Sequence, residues 1–224
     1  MSSGKGKEAE GFYTSGEEYA NTLSHALGIV LGVVAGYYLL RKSQQDYSIA
    51  LATPAVLIYL AGMLSSYISS TFYHGTTCKK LKHVLRKFDH AAIYWHIAGT
   101  YTPFTLIILW NDAFWGIGIL TLVWFFAIIG AVLSFKHLKD HSNLETCCYI
   151  LMGCTIFIAL KPLCETLSLR GEFSSFYWLL GGGVSYVIGA LFYTLHQKKY
   201  MHSVFHLFVL GGSICHIIAI WIIL

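Results

Sequence analysis

Seven apolar runs, each long enough to cross a hydrocarbon core, constrain this chain more than any other feature. A membrane-spanning helix needs roughly 20 apolar residues. Such runs occupy residues 21–40, 49–73, 89–110, 114–135, 144–162, 174–195 and 203–224. Lipid offers the backbone no hydrogen-bond partners, so segments of this kind fold as helices. The expected fold is therefore all-α, a seven-transmembrane helical bundle. Of the 224 residues, 56% are hydrophobic and only 12% charged, about half the charged share of a typical soluble domain. A soluble globule of that composition would expose large apolar patches. The connections are short and leave no room for a second domain. The expected organisation is a polar cytoplasmic tail over residues 1–16 and a transmembrane domain over 17–224. The tail lacks the charged-then-apolar plan of a secretory signal, so the first run is read as a retained helix. Gly28, Gly32 and Gly36 give that run a small-residue ridge suited to close packing. Gly181, Gly182 and Gly183 mark a kink or tight contact in the sixth run, and Lys161 and Pro162 close the fifth.

The basic residues set an orientation. Eleven of the 15 Lys and Arg lie on the N-terminal tail and the second, fourth and sixth connections. Arg41, Lys42, Lys161 and Arg170 lie on the other side. The positive-inside rule then predicts a multi-pass cell-membrane protein with a cytoplasmic N-terminus and Leu224 outside. A net charge of +4, distributed in this way, speaks for topology and against a nucleic-acid partner. None of the six cysteines forms a C-x-x-C pair, so neither a disulfide framework nor a thiolate zinc site is read.

The eleven histidines are placed unevenly: none falls in an outer connection. The seventh helix opens with His202-x-x-x-His206, and residues four apart share a helix face. These two can bind one metal. The second helix ends at His74 at the same depth, which supplies a third imidazole if helices two and seven are neighbours. Three neutral imidazoles with an open position make a catalytic-type zinc shell. Asp89, at the start of helix three, is placed to bind or polarise a water there. Ser70, one turn from His74, could hydrogen-bond the same water. Each residue has a plainer reading. Histidines at membrane interfaces arise without metals, and Asp89 could simply cap helix three. The pair His137 and His141 has the same spacing but flanks Asp140 in a Lys-containing connection and is read as solvated. His25 is either a partner of the site or a helix-packing polar group. His216 lies about 15 Å deeper than His206; it and His96 are read as core histidines bonded across helices. Convergence of three helix ends at one depth favours the metal reading, because ionisable groups inside a bundle are costly.

Four motifs carry a resemblance. Glu18-x-x-Asn21-x-x-x-His25, Ser70-x-x-x-His74, Phe88-Asp89-His90 leading to Gly99-Thr100-Tyr101-Thr102-Pro103-Phe104, and His202-x-x-x-His206 occur in this order. From about Gly16 to the C-terminus the chain resembles the hemolysin III branch of the progestin and adiponectin receptor family. The resemblance implies a seven-helix bundle with a cytoplasmic N-terminus and an intramembrane Zn2+ held by His74, His202 and His206, with Asp89 and Ser70 around its water. It also implies membership of a wider group of proposed metal-dependent membrane hydrolases. Receptor members are linked to ceramide hydrolysis, and bacterial members to haemolysis and membrane homeostasis. The chain has no long N-terminal extension of the animal-receptor kind, which points to the bacterial-type branch. Three functions follow. One is hydrolysis of a lipid amide or ester, with a membrane lipid as substrate. Another is a non-enzymatic sensor of membrane state with a structural zinc. The third is a haemolytic pore. A pore needs polar residues through the whole membrane depth, whereas here polar groups crowd one end.

Overall fold

The computed structural model describes residues 13–45, 50–136, 143–195 and 197–224. Most of the expected tail, the His137 and His141 pair and His196 lie outside the described residues. Those residues form helices only: α1 (Ser15–Ser43), α2 (Ala52–Gly75), α3 (Lys79–Pro103, continuing through a π turn, Phe104–Ile108), α4 (Ala113–Lys136), α5 (Asn143–Gly153, followed by a 3-10 stretch, Cys154–Ala159), α6 (Leu160–Leu169), α7 (Ser174–Thr194) and α8 (Met201–Ile223). The α5–α6 pair is a single broken crossing, so the eight helices make seven columns. Six columns are apolar and long enough to span a membrane. Their outward side chains, such as Val30, Val33, Phe125 and Ile128, are exposed, as lipid-facing positions are in a bundle. The seventh column is α3. It carries fewer apolar residues because it runs through the middle, against α2, α4 and α5, and buries His90, His96, Thr100, Thr102 and Thr105. The fold is a seven-column all-α bundle, and the chain is a multi-pass integral membrane protein.

Two boundaries differ from the sequence expectation. Helix α3 starts at Lys79, ten residues before the apolar run. The Lys79–Lys87 stretch is therefore helix and not connection. Lys82 is buried, donating to the carbonyls of Tyr73 (3.0 Å) and Thr76 (3.3 Å). Its partners carry the helix out beyond the apolar segment, and Asp89 consequently sits well inside α3, too far from the end to cap it. The fifth crossing does not close at Lys161 and Pro162 but continues to Leu169. Pro162 lies in the first turn of α6, where a missing N–H leaves nothing unsatisfied. The break comes earlier, after Gly153, and the Tyr101 hydroxyl bridges it. That hydroxyl donates to the Gly153 carbonyl (2.6 Å) and accepts from the Ile156 N–H (2.8 Å). Pro103, which cannot donate, and the π turn after it follow directly, as proline commonly disturbs the helical ladder. The Gly99–Phe104 motif is thus occupied with α3 packing and the α5 break.

Helix α1 packs against both α2 and α8, and α7 against α8. Helices α2 and α8 meet chiefly through side chains, as in the Tyr67 hydroxyl's bond to Ser213 Oγ (2.7 Å). At the C-terminal end of α8, Lys42 donates to the Trp221 carbonyl and Arg170 to that of Ile223. These cations satisfy carbonyls that a helix end leaves open.

Candidate metal centre

Three imidazoles meet where α1, α2 and α8 converge. One ring nitrogen from each of His74, His202 and His206 lies within 4.8 Å of the others, and all three residues are buried. His74 Nε2 and His202 Nε2 stand 3.2 Å apart. These separations are compatible with one metal ion shared by the three imidazoles.

Helix α1 fixes which nitrogens are bare. His74 Nδ1 lies 2.7 Å from Glu18 Oε2. A carboxylate only accepts, so the proton sits on Nδ1 and Nε2 keeps its lone pair. Ser24 Oγ donates its single proton to the Asn21 carbonyl (2.9 Å) and lies 3.1 Å from His206 Nδ1. The hydroxyl must then accept from His206 Nδ1–H, which again leaves Nε2 bare. Asn21 lies with its Nδ2 3.5 Å from His74 Nδ1, and its Oδ1 accepts from Ser203 Oγ at 2.6 Å. Lys82 Nζ pairs with Glu18 Oε1 at 2.9 Å. Such partners orient a ligand ring and raise its basicity. Residues 18, 21 and 24 recur at three-residue steps, so one face of α1 serves all of these contacts.

A strap covers the centre. Thr14 and Glu17 form a capping box at the start of α1, and Glu17 Oε1 also accepts from the Tyr200 N–H at 2.9 Å. Tyr200, at φ 62°, leads directly into α8. Tyr13 is drawn over His202, with ring centroids 4.8 Å apart and nearly parallel planes. Burial, with help from Tyr193, holds the Tyr13 phenol well above its ordinary pKa, so it remains a neutral hydroxyl.

On the other side of the imidazoles lies a cavity of about 390 Å³ between α3, α5, α7 and α8. Ser70, Asp89, His202 and His206 line its polar end, and most of the remaining wall is apolar. Asp89 faces Ser70, with His74, His90 and Arg86 as its charged or titratable neighbours. His90 Nδ1 bonds Glu145 Oε2 at 2.9 Å. The structure thus brings His74, His202 and His206 together and sets Ser70 and Asp89 on the wall beside them. His25 lies against His206, centroids 3.7 Å apart, and neither of its nitrogens has a hydrogen-bond partner among the described residues. Sequence reasoning did not assign Tyr13, Glu17, Ser24, Lys82, Glu145 or Ser203. A Thr14-x-x-Glu17 capping signature and the Asn21–Ser24 helical step were the available signals.

The haemolysin-III-related family profile matches residues 13–217, a span holding all of the residues that converge on the three imidazoles. The chain belongs to the haemolysin-III-related family. Hemolysin-3 of Bacillus cereus is 37% identical over 197 residues, covering 88% of this chain and 87% of that protein. The Hemolysin-3 homolog of Bacillus subtilis (strain 168) is 38% identical over 201 residues, covering 90% and 91%. The human Monocyte to macrophage differentiation factor is 27% identical over 215 residues, covering 92% and 83%. This haemolysin-III-related chain therefore aligns with such relatives along about nine-tenths of its length.

Proposed function

We propose that the chain is a zinc-dependent hydrolase of a lipid amide or ester, ceramidase-like and acting in membrane homeostasis. The observation that carries this reading is the three-imidazole cluster, with Nε2 bare on His74 and His206, beside the polar end of a mostly apolar cavity. His74, His202 and His206 would hold the ion. When bound, zinc supplies a Lewis acid and brings the pKa of water to about 7. The chain's own groups do the rest. The apolar wall seats an acyl chain and excludes bulk water. Asp89 takes the proton of the attacking water on a carboxylate oxygen. Once the water oxygen has bonded to the carbonyl carbon, Asp89 passes that proton to the departing nitrogen as the C–N bond breaks, leaving a free acid and an amine. Ser70 orients Asp89 as a hydrogen-bond donor. In the same reading, haemolysin-III-related proteins form a branch of the wider progestin and adiponectin receptor family. Residues 17–224 form the membrane domain, residues 1–16 a polar tail, and the triad end faces the cytoplasm with Leu224 outside. The eleven-to-four division of Lys and Arg supports that orientation.

A second reading, a regulator with a structural zinc, is favoured by the Tyr13 cover over His202. The haemolytic-pore reading finds little support in a cavity with so apolar a wall. The deciding experiment is turnover of ceramide and other lipid amides by zinc-loaded wild type and Asp89→Asn. Asn approximates the shape but cannot act as a base, and losing a general base costs about 10²–10⁴-fold in rate. Equal rates at equal zinc content would remove Asp89 from the chemistry. Absence of turnover by wild type across a broad lipid panel would favour the regulator.

A further inference from the structure

Far from the imidazole triad the cavity acquires a second set of polar groups. His216 is ten residues beyond His206 on α8, about 15 Å along the axis. It lines the cavity together with His96, Ser66 and Tyr186. His216 Nε2 lies 3.3 Å from the Leu179 carbonyl. That oxygen only accepts, so Nε2 carries the proton and Nδ1 is a bare acceptor. His216 Nδ1 has no hydrogen-bond partner among the described residues, and neither has His96 Nε2. Both residues are only 6% exposed. The two rings flank Tyr186, at centroid distances of 5.2 and 6.1 Å. The Tyr67 and Tyr186 hydroxyls lie at 2.7 and 3.1 Å from Ser213 Oγ.

Glycines seat these rings. A Cβ on Gly182 would lie 2.3 Å from the His216 ring, one on Gly212 2.7 Å from Tyr186, and one on Gly28 2.2 Å from Tyr67. The backbone thus leaves room for polar rings in an apolar interior. A buried polar atom without a partner costs about 1–3 kcal/mol. Two of them beside a ready cavity call for a partner inside it.

We propose that this inner end is a subsite for a hydroxyl group carried on an otherwise apolar lipid chain, about 15 Å from the triad. A hydroxyl both donates and accepts. It gives its proton to His216 Nδ1 and takes one from His96, whose ring proton then sits on Nε2; a bare methylene chain can do neither. This inference rests on the reading of the cavity as an acyl-chain site. It adds a substrate preference: chains hydroxylated near the middle over plain or headgroup-hydroxylated ones.

The test is displacement of a fluorescent fatty acid from purified, zinc-loaded protein by stearate, by hydroxystearate bearing its hydroxyl mid-chain, and by hydroxystearate bearing it beside the carboxylate. The mid-chain ligand is expected to bind about five- to tenfold more tightly than the other two, the worth of one net hydrogen bond. His216→Phe and His96→Phe keep a ring in each seat and should bring the three ligands level, with zinc content unchanged. Equal binding of all three by wild type would overturn the subsite and leave ordered water as the partner of these nitrogens. So would a preference that survives in both variants. If the fluorescent fatty acid itself does not bind, the acyl-chain reading of the cavity falls, and the subsite with it.

Discussion

Replacing Glu18 with Gln tests whether α1 tunes the candidate metal centre. Glu18 Oε2 accepts the His74 Nδ1 proton at 2.7 Å, and Oε1 pairs with Lys82 Nζ at 2.9 Å. Gln preserves the side chain's shape but removes the charge that makes His74 Nε2 more basic. If its NH₂ turns toward Nδ1, the ring proton moves to Nε2 and blocks ligation, which acts in the same direction. Losing a partner of this kind costs about 10–100-fold in metal affinity, or about 1.4–2.7 kcal/mol. Zinc affinity would be read by competition with a chelator of known strength, on purified protein in detergent. One complication is built into the structure. Lys82 is 5% exposed, and stranding a buried cation by removing its partner costs about 3–5 kcal/mol of stability. Two backbone carbonyls still hold Lys82 and reduce that cost. Lys82→Met, alone and combined with Glu18→Gln, separates the two effects as a double-mutant cycle. The expectation is a drop in zinc affinity on Glu18→Gln in both backgrounds. Unchanged affinity would refute the orienting role. A drop that disappears in the Lys82→Met background would show that Glu18 acts through Lys82 and not through His74.

His202→Ala and His206→Ala each leave two imidazoles, so elemental analysis should find zinc far below stoichiometric; full zinc in the double variant would point to other ligands, His137 and His141 first. Chelation should lower the melting temperature of wild type but not of that double variant. With free zinc at a hundred times its Kd, the bound ion contributes about 2.7 kcal/mol, and superimposable wild-type curves would count against a bound metal. Gly182→Ala should destabilise by about 1–3 kcal/mol, because its Cβ meets the His216 ring at 2.3 Å; an unchanged melting temperature would mean that α7 and α8 part freely there. A reporter fused after Leu224 should be active only if it works outside the cytoplasm, and cytoplasmic activity would reverse the orientation.

The bundle was legible in the sequence because each lipid-spanning helix needs a long apolar run, and six of the columns have one. What escaped was local chemistry that lets a helix outrun its apolar segment. Lys79–Lys87 resembled a connection, yet Lys82 finds a carboxylate and two carbonyls that keep it helical. Pro162 resembled a stop, yet it sits in a first turn where its missing N–H is harmless. At the candidate centre, the H-x-x-x-H spacing and the common depth of His74 pointed to three imidazoles that the fold brings together. The groups that set their protons could not be read in that way. Ser24 meets His206 across 182 positions of sequence, a contact that exists only because α1 lies against both α2 and α8.

That position of α1 ties metal affinity to bundle assembly. Lipid tails are as apolar as Leu, so helices in a membrane associate through close packing and polar links more than through a hydrophobic drive. At the inner depth, glycines supply the close packing, letting Tyr67, Tyr186 and His216 lie against facing backbones. At the triad end the links are polar: Glu18 to His74, Asn21 to Ser203, Ser24 to His206, and Glu17 to the Tyr200 backbone. Each link joins α1 to α2, to α8 or to the turn that begins α8. An ion shared by His74 and His202 would bridge α2 and α8 directly, where their side chains already meet. Metal binding and closure of this end of the bundle are then one event. Removing the ion should loosen α1, α2 and α8 at the triad end while the glycine-packed depth stays closed. Amide exchange over Thr14–His25 and Met201–His206 should accordingly rise on chelation, with little change around Gly182 and Gly212.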